Sequence, residues 1–327
     1  MLDKVTKSTP KKQHFVPQFI LRNFTSGKKE QVWVFDKHED RSFPSSVLKA
    51  ACSNGYYNIT EDGVNVTLEH RLASLETSTS MVISNLVKTE SLATLSSEDM
   101  SVLSLFCSVQ LLRTNQQREF VKQFQDSIAT WVEARGGKVE DVENFEVLDD
   151  EEIKRSHVQN IASLAFEFSE LFRKKHLKLV KAAPATQFII SDNPIVMHNH
   201  LPRPGRGNLG LNCKGIEVQF PISSNLCLVF VCEKLISEIV SKMKDVQGKK
   251  TLGVLIPVDT AEIESFVNAL DDGKAQTLKP ENMDFHNSLQ VIQSSRYVYS
   301  ATNNFLLVQD ILSKSPECRL SPRISSN

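Results

Sequence analysis

The stretch KKQHFVPQFILRNF, residues 11–24, places polar side chains that can do chemistry among large apolar ones. Because Pro is favoured in the first turn of a helix, the pattern predicts a short helix beginning at Pro17, with apolar side chains coating one side. His14, Gln18 and Arg22 are spaced by four residues and then share one edge of that segment. This edge is a candidate catalytic site with His14 as its titratable group. The alternative is a terminal helix that packs on the core, with His14 as its cap.

A second candidate pair lies in the stretch SLFCSVQLLRT, where Gln110 and Arg113 are three residues apart and share a helix face. The rest of this predicted helix is apolar, and a buried Arg is costly unless it is paired and hydrogen-bonded. Arg113 therefore needs an acidic partner, for which Asp192 and Glu69 are candidates, or a bound phosphate, which Arg holds bidentately. A structural salt bridge between two parts of the chain is the alternative interpretation.

Asp192, Asn193 and Pro194 end one apolar strand and begin another. Asp and Asn before Pro favour a turn, whereas a fixed and partly dry carboxylate at a strand end also suits a metal ligand or a general base. Glu217 and Gln219 on the next predicted strand complete a set that loosely resembles a metal-dependent nuclease site, with Gln in place of the usual Lys. Asp192 and Glu217 are therefore candidate ligands of Mg²⁺ or Mn²⁺, and the identity of any cofactor stays open.

Two further pairs have spacings that allow a site. His198 and His200 lie on one face of a continuing strand, where they can bind zinc or face solvent at the strand end. Glu69 and Glu76 are two helical turns apart, about 10 Å, so they do not easily share one metal, but either can point into a cleft. The sequence contains no phosphate-binding Gly loop, nucleophile elbow or nucleotide fingerprint.

Charge and composition bound the choice of partners. The net charge is −1, so no global field draws the chain to nucleic acid or to a membrane. Residues 1–30 are locally basic, with seven Lys or Arg against two acids; such an arm is either simply solvated or contacts a polyanion such as nucleic acid. Six Cys form no Cys-x-x-Cys pair, and neither a signal core nor a run of eighteen apolar residues occurs. We therefore expect a cytoplasmic protein with reduced thiols and no membrane partner; the oligomeric state stays open.

The elements that must position these residues follow from hydrophobic periodicity. Short extended runs occur between residues 31 and 60, and helical periodicity then predicts helices at 68–86, 97–137 and 150–176. The helix over 97–137 is the most apolar, and Cys107 within it is expected to be a buried, unreactive thiol.

From residue 177 the pattern changes to that of strands. We predict an α+β fold in which a helical N-terminal half, 1–176, packs on a mixed, largely antiparallel sheet in the C-terminal half, 177–327, as one coupled unit. Other segments predicted in the second half are a loop at 201–210, a strand at 252–257 and helices at 259–270 and 280–294.

Five stretches resemble, in the same order along the chain, a bacterial domain-of-unknown-function family, number 4238. They are QHFVPQFILRNF, SLFCSVQLLRT, FIISDNPIV, IEVQFPIS and FHNSLQVIQSSRYVYS. The resemblance implies a fold and a site rather than a reaction, and some relatives are associated with bacterial defence against phage. The candidate catalytic residues are His14, Gln110, Arg113, Asp192 and Asn193, followed by Gln18, Tyr57, Glu69, Glu76, Glu217 and Asn287.

Two functional hypotheses remain. The first is a defence effector that hydrolyses phosphodiester bonds with a metal ion, in which His14, Arg113 and Asp192 meet at one site. The second is a sensor or binding module without catalysis, in which the same polar set is a ligand pocket or a structural network.

Overall fold

The computed structural model describes residues 2–27, 29–143, 145–201, 209–252, 260, 263–264, 267 and 273–322. The helices of these residues are α1 (Gln18–Arg22), α2 (Glu69–Thr89), α3 (Ser97–Leu112), α4 (Asn115–Glu133), α5 (Asp150–Arg173), α6 (Glu233–Thr251), α7 (Pro280–Gln293) and α8 (Leu306–Lys314). The strands are β1 (Asp3–Lys4), β2 (Lys12–His14), β3 (Gln31–Asp36), β4 (Arg41–Ser46), β5 (Cys52–Asn54), β6 (Asn58–Glu61), β7 (Val64–Thr67), β8 (His176–Lys181), β9 (Ile190–Ser191), β10 (Val196–Asn199), β11 (Ile216–Pro221), β12 (Leu226–Val231), β13 (Gln276–Thr277) and β14 (Tyr297–Ser300).

The predicted fold class, with helices in the first half and a sheet in the second, is wrong. Helices and strands are interleaved: β1 to β7 precede α2, and α6 to α8 follow β12. The early strands are short and carry many polar residues, as in the sequence RSFPSS of β4, so hydrophobic periodicity gives them too little weight. The described strands form several separate sheets rather than one.

One four-stranded sheet joins distant parts of the chain in the order β4-β3-β14-β9. Strand β3 pairs antiparallel with β14, with Asp36 opposite Tyr297, and β14 pairs antiparallel with β9, with Val298 opposite Ser191. This sheet therefore places the residues that follow β9 beside the start of β14.

A five-stranded sheet in the order β10-β11-β12-β8-β13 carries the main core. All six residues of β12 are buried, as expected for a strand with both faces covered. Helix α3 packs against this sheet, since the Phe106 and Phe220 ring centroids lie 6.0 Å apart. Cys107 on the same helix is fully buried, which confirms its predicted placement.

The single long helix predicted over 97–137 is two helices. Ser96 caps α3 through a reciprocal capping box with Asp99. The helix ends at Leu112, and Thr114 has an extended backbone (φ −78°, ψ 159°) before α4 begins. This break leaves Arg113 at the C-terminal end of α3.

The N-terminal segment packs on the body of the protein, as predicted. Val16, Ile20, Leu21 and Phe24 are fully buried in the main core. After α1, Asn23 joins the hairpin between β11 and β12: its Nδ2 donates to the carbonyl of Ile222 (2.9 Å), and the Ser224 N–H donates to its carbonyl (3.1 Å). The segment is therefore fixed by both apolar burial and hydrogen bonds.

Three predicted segments, the loop at 201–210, the strand at 252–257 and the helix at 259–270, lie wholly or largely outside the described residues. Within the described part of the chain, every helix is too short or too polar to span a bilayer.

Candidate functional site

A cleft of about 360 Å³ opens between the N-terminal segment and helix α2. Its lining includes four of the predicted site residues, His14, Gln18, Glu69 and Glu76. The N-terminal segment supplies the first two, and α2 supplies the two carboxylates. The structure thus brings together side chains that are more than fifty residues apart in sequence.

The α2 wall is one face of a regular helix. Its lining residues are Glu69, Ala73, Glu76, Thr77 and Ser80. Steps of three and four residues place successive side chains above one another on a helix, so a single face presents both carboxylates to the cleft. Burial of the adjacent face, through Leu72, Thr79 and Ile83 among others, fixes the rotation of α2 about its axis.

His14 ends strand β2, which pairs antiparallel with β5, and its side chain is half-buried. The Nε2 atom of His14 lies 3.3 Å from the carbonyl oxygen of Val47. A carbonyl only accepts hydrogen bonds, so Nε2 carries the proton and Nδ1 of the neutral ring is a proton acceptor. Burial lowers the pKa of His14, against the opposing effect of the Val47 hydrogen bond, so the ring is neutral at pH 7.

Tyr57 and Gln13 hold the backbone around His14. The fully buried Tyr57 hydroxyl donates to the carbonyl of His14 (3.0 Å), and the Tyr57 N–H donates to Gln13 Oε1 (2.6 Å). Tyr57 therefore acts on the site by positioning His14 and does not line the cleft.

Glu69 has an unusual protonation state. Burial and the nearby charge of Glu76 together raise the pKa of Glu69 to about 7, against the opposing effect of Arg113. Glu69 therefore titrates near neutral pH, where the carboxylic acid form is populated. A neutral imidazole and a protonated carboxyl group thus face the same cleft, which is the pairing that general acid–base catalysis requires.

Arg113 lies behind the cleft and is fully buried. Its Nη1 donates to Glu76 Oε1 (2.7 Å), and its Nε donates to Gln110 Oε1 (2.8 Å). Gln110 in turn donates from Nε2 to the carbonyl of Phe15 (2.8 Å). The chain of contacts joins α2, α3 and the N-terminal segment, so Gln110 and Arg113 position the cleft walls from behind.

The rim of the cleft is basic. Lys12 and Arg22 are exposed and line the cleft from the N-terminal side. Arg22 donates from Nη2 to Gln18 Oε1 (3.1 Å) and from Nε to Glu30 (3.3 Å). Gln18 is therefore an orienting partner of a rim cation. The basic rim attracts an anionic group, whereas the two carboxylates of the cleft, Glu69 and Glu76, belong to the α2 wall.

Asp192 does not line this cleft and does not pair with Arg113. It is buried at the end of β9, where its carboxylate accepts backbone N–H groups from Ser295 (2.8 Å), Arg296 (2.7 Å) and Tyr297 (2.8 Å). Burial raises the pKa of Asp192, against the opposing effect of these hydrogen bonds. These contacts fix the chain where it enters β14.

Asn193 and Asn287 make similar structural contacts. Asn193 accepts from the Thr114 hydroxyl (3.2 Å) and donates to the carbonyl of Gln293 (3.0 Å). Asn287 accepts the N–H of Ile189 (3.1 Å) and donates to a backbone carbonyl of the same segment. Both amides satisfy buried backbone groups between α7 and the strand end.

The predicted metal pair is not assembled. Glu217 on β11 accepts from Gln219 (2.7 Å) and lies 3.1 Å from His200 Nε2, on a different sheet from the strand that leads to Asp192. Among the described residues, no group of three or more His, Cys, Asp or Glu side chains is arranged to hold a metal ion. Carboxylate oxygens suit Mg²⁺ or Mn²⁺, but the Asp192 carboxylate is occupied by three backbone N–H groups and Glu217 lies on another sheet.

A family model described as a protein of unknown function, DUF4238, matches residues 12–304. The chain belongs to the DUF4238 family. No curated protein and no solved structure matches the chain significantly. The matched range contains every residue that lines the cleft in this DUF4238 protein except Pro10.

Sequence reasoning missed which carboxylate pairs with Arg113 and missed the rim cations. The partner is Glu76, whereas Asp192 and Glu69 were the candidates. The signal for Glu76 is its helical phase, since it is seven residues from Glu69 on the same face of α2. The spacing of four residues had already placed Arg22 on one edge with His14 and Gln18, whereas Lys12 carried no signal beyond a general excess of basic residues near the N-terminus.

Proposed function

We propose that this DUF4238 protein cleaves phosphodiester bonds of nucleic acid by general acid–base catalysis in the cleft between the N-terminal segment and α2. The observation that carries the proposal is that His14 and Glu69 line one cleft in complementary protonation states. His14 removes a proton from the nucleophile through Nδ1, and Glu69 donates a proton to the leaving oxygen.

Charge at the rim supports an anionic substrate. Lys12 and Arg22 are exposed cations beside the cleft, and Arg22 also forms a surface ion pair with Glu30. Contacts between such cations and phosphate oxygens position a nucleic acid without reading its sequence. The resemblance noted above supplies the biological context, so we place the reaction in defence against phage.

The test uses purified protein with tRNA, single-stranded DNA and double-stranded DNA, each with Mg²⁺, with Mn²⁺ and with EDTA. We expect cleavage that persists in EDTA, because the proposed acid and base are side chains. The variants His14→Gln and Glu69→Gln should each lose about 100-fold or more in rate. Exposed residues provide the matched controls, His38→Gln and Glu133→Gln, which should cleave at the wild-type rate.

Three outcomes contradict the proposal: no cleavage of any substrate, equal rates in all four variants, or complete loss of activity in EDTA. Binding of nucleic acid without cleavage would instead support the second hypothesis, a binding module. The same four variants in a phage-protection assay test the biological context, and protection by His14→Gln equal to wild type would contradict it.

A further inference from the structure

We propose that the cleft is selective for RNA and that the nucleophile is the substrate's own ribose 2′-hydroxyl, a step that rests on the proposed function. The juxtaposition that leads to this inference is a proton-accepting ring nitrogen opposite carboxyl groups with unoccupied oxygens, inside a cationic rim. The inference specifies RNA as the substrate class and a cyclic phosphate as the product, both of which the proposed function leaves open.

The α2 wall offers hydrogen-bond acceptors without partners. Glu76 uses Oε1 for Arg113, and among the described residues its Oε2 receives no hydrogen bond. The Glu69 carboxyl group also receives no hydrogen bond from the described residues. The backbone N–H of Glu69 donates to the Thr67 hydroxyl. A free carboxylate oxygen in such a cleft can accept a hydrogen bond from a hydroxyl group of the substrate.

The charge distribution fixes which end of a nucleotide enters. A phosphate placed against Glu76 would be repelled, whereas Lys12 and Arg22 at the rim attract it. The sugar therefore faces Glu76, and the scissile phosphate lies towards the rim, between His14 and the protonated Glu69. Ribose adds a 2′-hydroxyl that donates to the proton-accepting Nδ1 of His14, and the 2′-OH is the group by which proteins distinguish RNA from DNA. A cleft of about 360 Å³ is within the size range of small-ligand sites.

The His14 tautomer matches this nucleophile. Because Nε2–H is held by Val47, Nδ1 accepts the 2′-hydroxyl proton. The 2′ oxygen forms a bond to phosphorus, and the bond between phosphorus and the 5′ oxygen of the next nucleotide breaks. The leaving oxygen takes the Glu69 carboxyl proton. The products are a 2′,3′-cyclic phosphate and a free 5′-hydroxyl, with no water or metal consumed, and proton transfer from His14 to Glu69 through solvent restores the site.

The experiment compares two oligonucleotides, one all-DNA strand and one identical strand with a single ribonucleotide, both in EDTA. We expect cleavage on the 3′ side of the single ribose, a 2′,3′-cyclic phosphate end identified by mass, and a rate at least ~100-fold higher than for the all-DNA strand. His14→Gln should remove this cleavage, whereas His38→Gln should retain it.

Two sets of results overturn the inference in distinguishable ways. Equal cleavage of both strands, or a linear phosphate end released directly, overturns the RNA-specific step and leaves the proposed function standing. Cleavage of neither the chimeric strand nor the nucleic acids above overturns both. A 2′-O-methyl ribose at the single position completes the test, because the inference requires that strand to remain intact.

Discussion

Arg113 and Glu76 join the end of α3 to the middle of α2 through a 2.7 Å hydrogen bond between a fully buried guanidinium and a carboxylate that lines the cleft. One carboxylate thus neutralises the buried cation and forms part of the cleft wall. Arg113 contributes to the site through Glu76 and Gln110, and its charge cannot be removed without affecting the wall.

The variant Glu76→Gln should lose stability because it leaves Arg113 as an unpaired buried charge. We expect a loss near the lower end of about 3–5 kcal/mol, since Glu76 is itself a quarter exposed. Chemical denaturation measures the change, and the double variant Glu76→Gln with Arg113→Met should recover part of it. An unchanged unfolding midpoint in Glu76→Gln would show that the pair does not stabilise the fold.

Asp192→Asn should destabilise the fold without a specific loss of catalysis. The Asn amide presents N–H donors where the carboxylate accepts three backbone N–H groups, and the expected cost is about 2–4 kcal/mol. The measurements are the melting temperature and the cleavage rate per folded molecule. A variant that folds with wild-type stability but is inactive would restore Asp192 as a catalytic residue.

His157 should make the protein sensitive to acid. Its Nδ1 accepts from Arg118 Nε (3.0 Å) and its Nε2 donates to the carbonyl of Leu112 (2.8 Å), while burial lowers its pKa from 6.5 to about 3. The unfolded chain therefore binds a proton that the folded chain rejects, so stability falls as the pH drops from 6.5 towards 3. The total is on the order of 5 kcal/mol, since each pKa unit corresponds to about 1.4 kcal/mol.

Denaturation curves at pH 7 and pH 4.5 test the His157 effect against the variant His157→Phe. This variant should be less stable at pH 7, because two hydrogen bonds are lost, but its stability should depend less on pH. Equal pH dependence in the two proteins would exclude His157 as the cause.

The cleavage rate should have a bell-shaped dependence on pH. It falls on the acid side as His14 becomes protonated, and it falls above about pH 7 as Glu69 loses the proton that it must donate. In Glu76→Gln the repulsion on Glu69 is removed, so the alkaline limb of kcat/KM should move to lower pH. An alkaline limb that stays in place would contradict the assignment of Glu69 as the acid.

Phe24→Ala should reveal how strongly the N-terminal segment is held. Phe24 is fully buried, so we expect a loss of about 3–5 kcal/mol from the lost apolar contacts and the residual cavity. The control Leu48→Ala removes a side chain that is 58% exposed and should change stability little. Equal melting temperatures for both variants would mean that the segment is not part of the cooperative core.

Several elements could be predicted from sequence because a local pattern specifies them. The burial of Val16 and Ile20, the Ser96 cap of α3 and the buried thiol of Cys107 each follow from periodicity or capping chemistry within a few residues. The early strands are too polar for hydrophobic periodicity to detect, so the separate sheets that they form were not predicted and the predicted fold class was wrong.

The site was only partly predictable for a geometric reason. His14, Glu69 and Glu76 were all named as candidates, but which acid meets Arg113 depends on the rotation of α2 and on the break after Leu112. The sequence places Asp192 at the end of an apolar strand, where both a structural and a catalytic role are possible. The backbone N–H groups of residues 295–297, which donate to its carboxylate, show that the role is structural. Such contacts over long sequence separation leave no local pattern.

The anchoring of Asn23 to Ile222 and Ser224 has a consequence for how the protein is made. These partners are translated about two hundred residues after the segment that carries His14. Until the nascent chain includes residues 222–224, Asn23 lacks the hydrogen bonds that attach the α1 wall of the cleft to the β11–β12 hairpin. Contacts of such long sequence separation also form slowly. A nascent chain without this hairpin therefore lacks one set of contacts that hold the α1 wall of the cleft, so the proposed cleavage should first appear after the hairpin has left the ribosome.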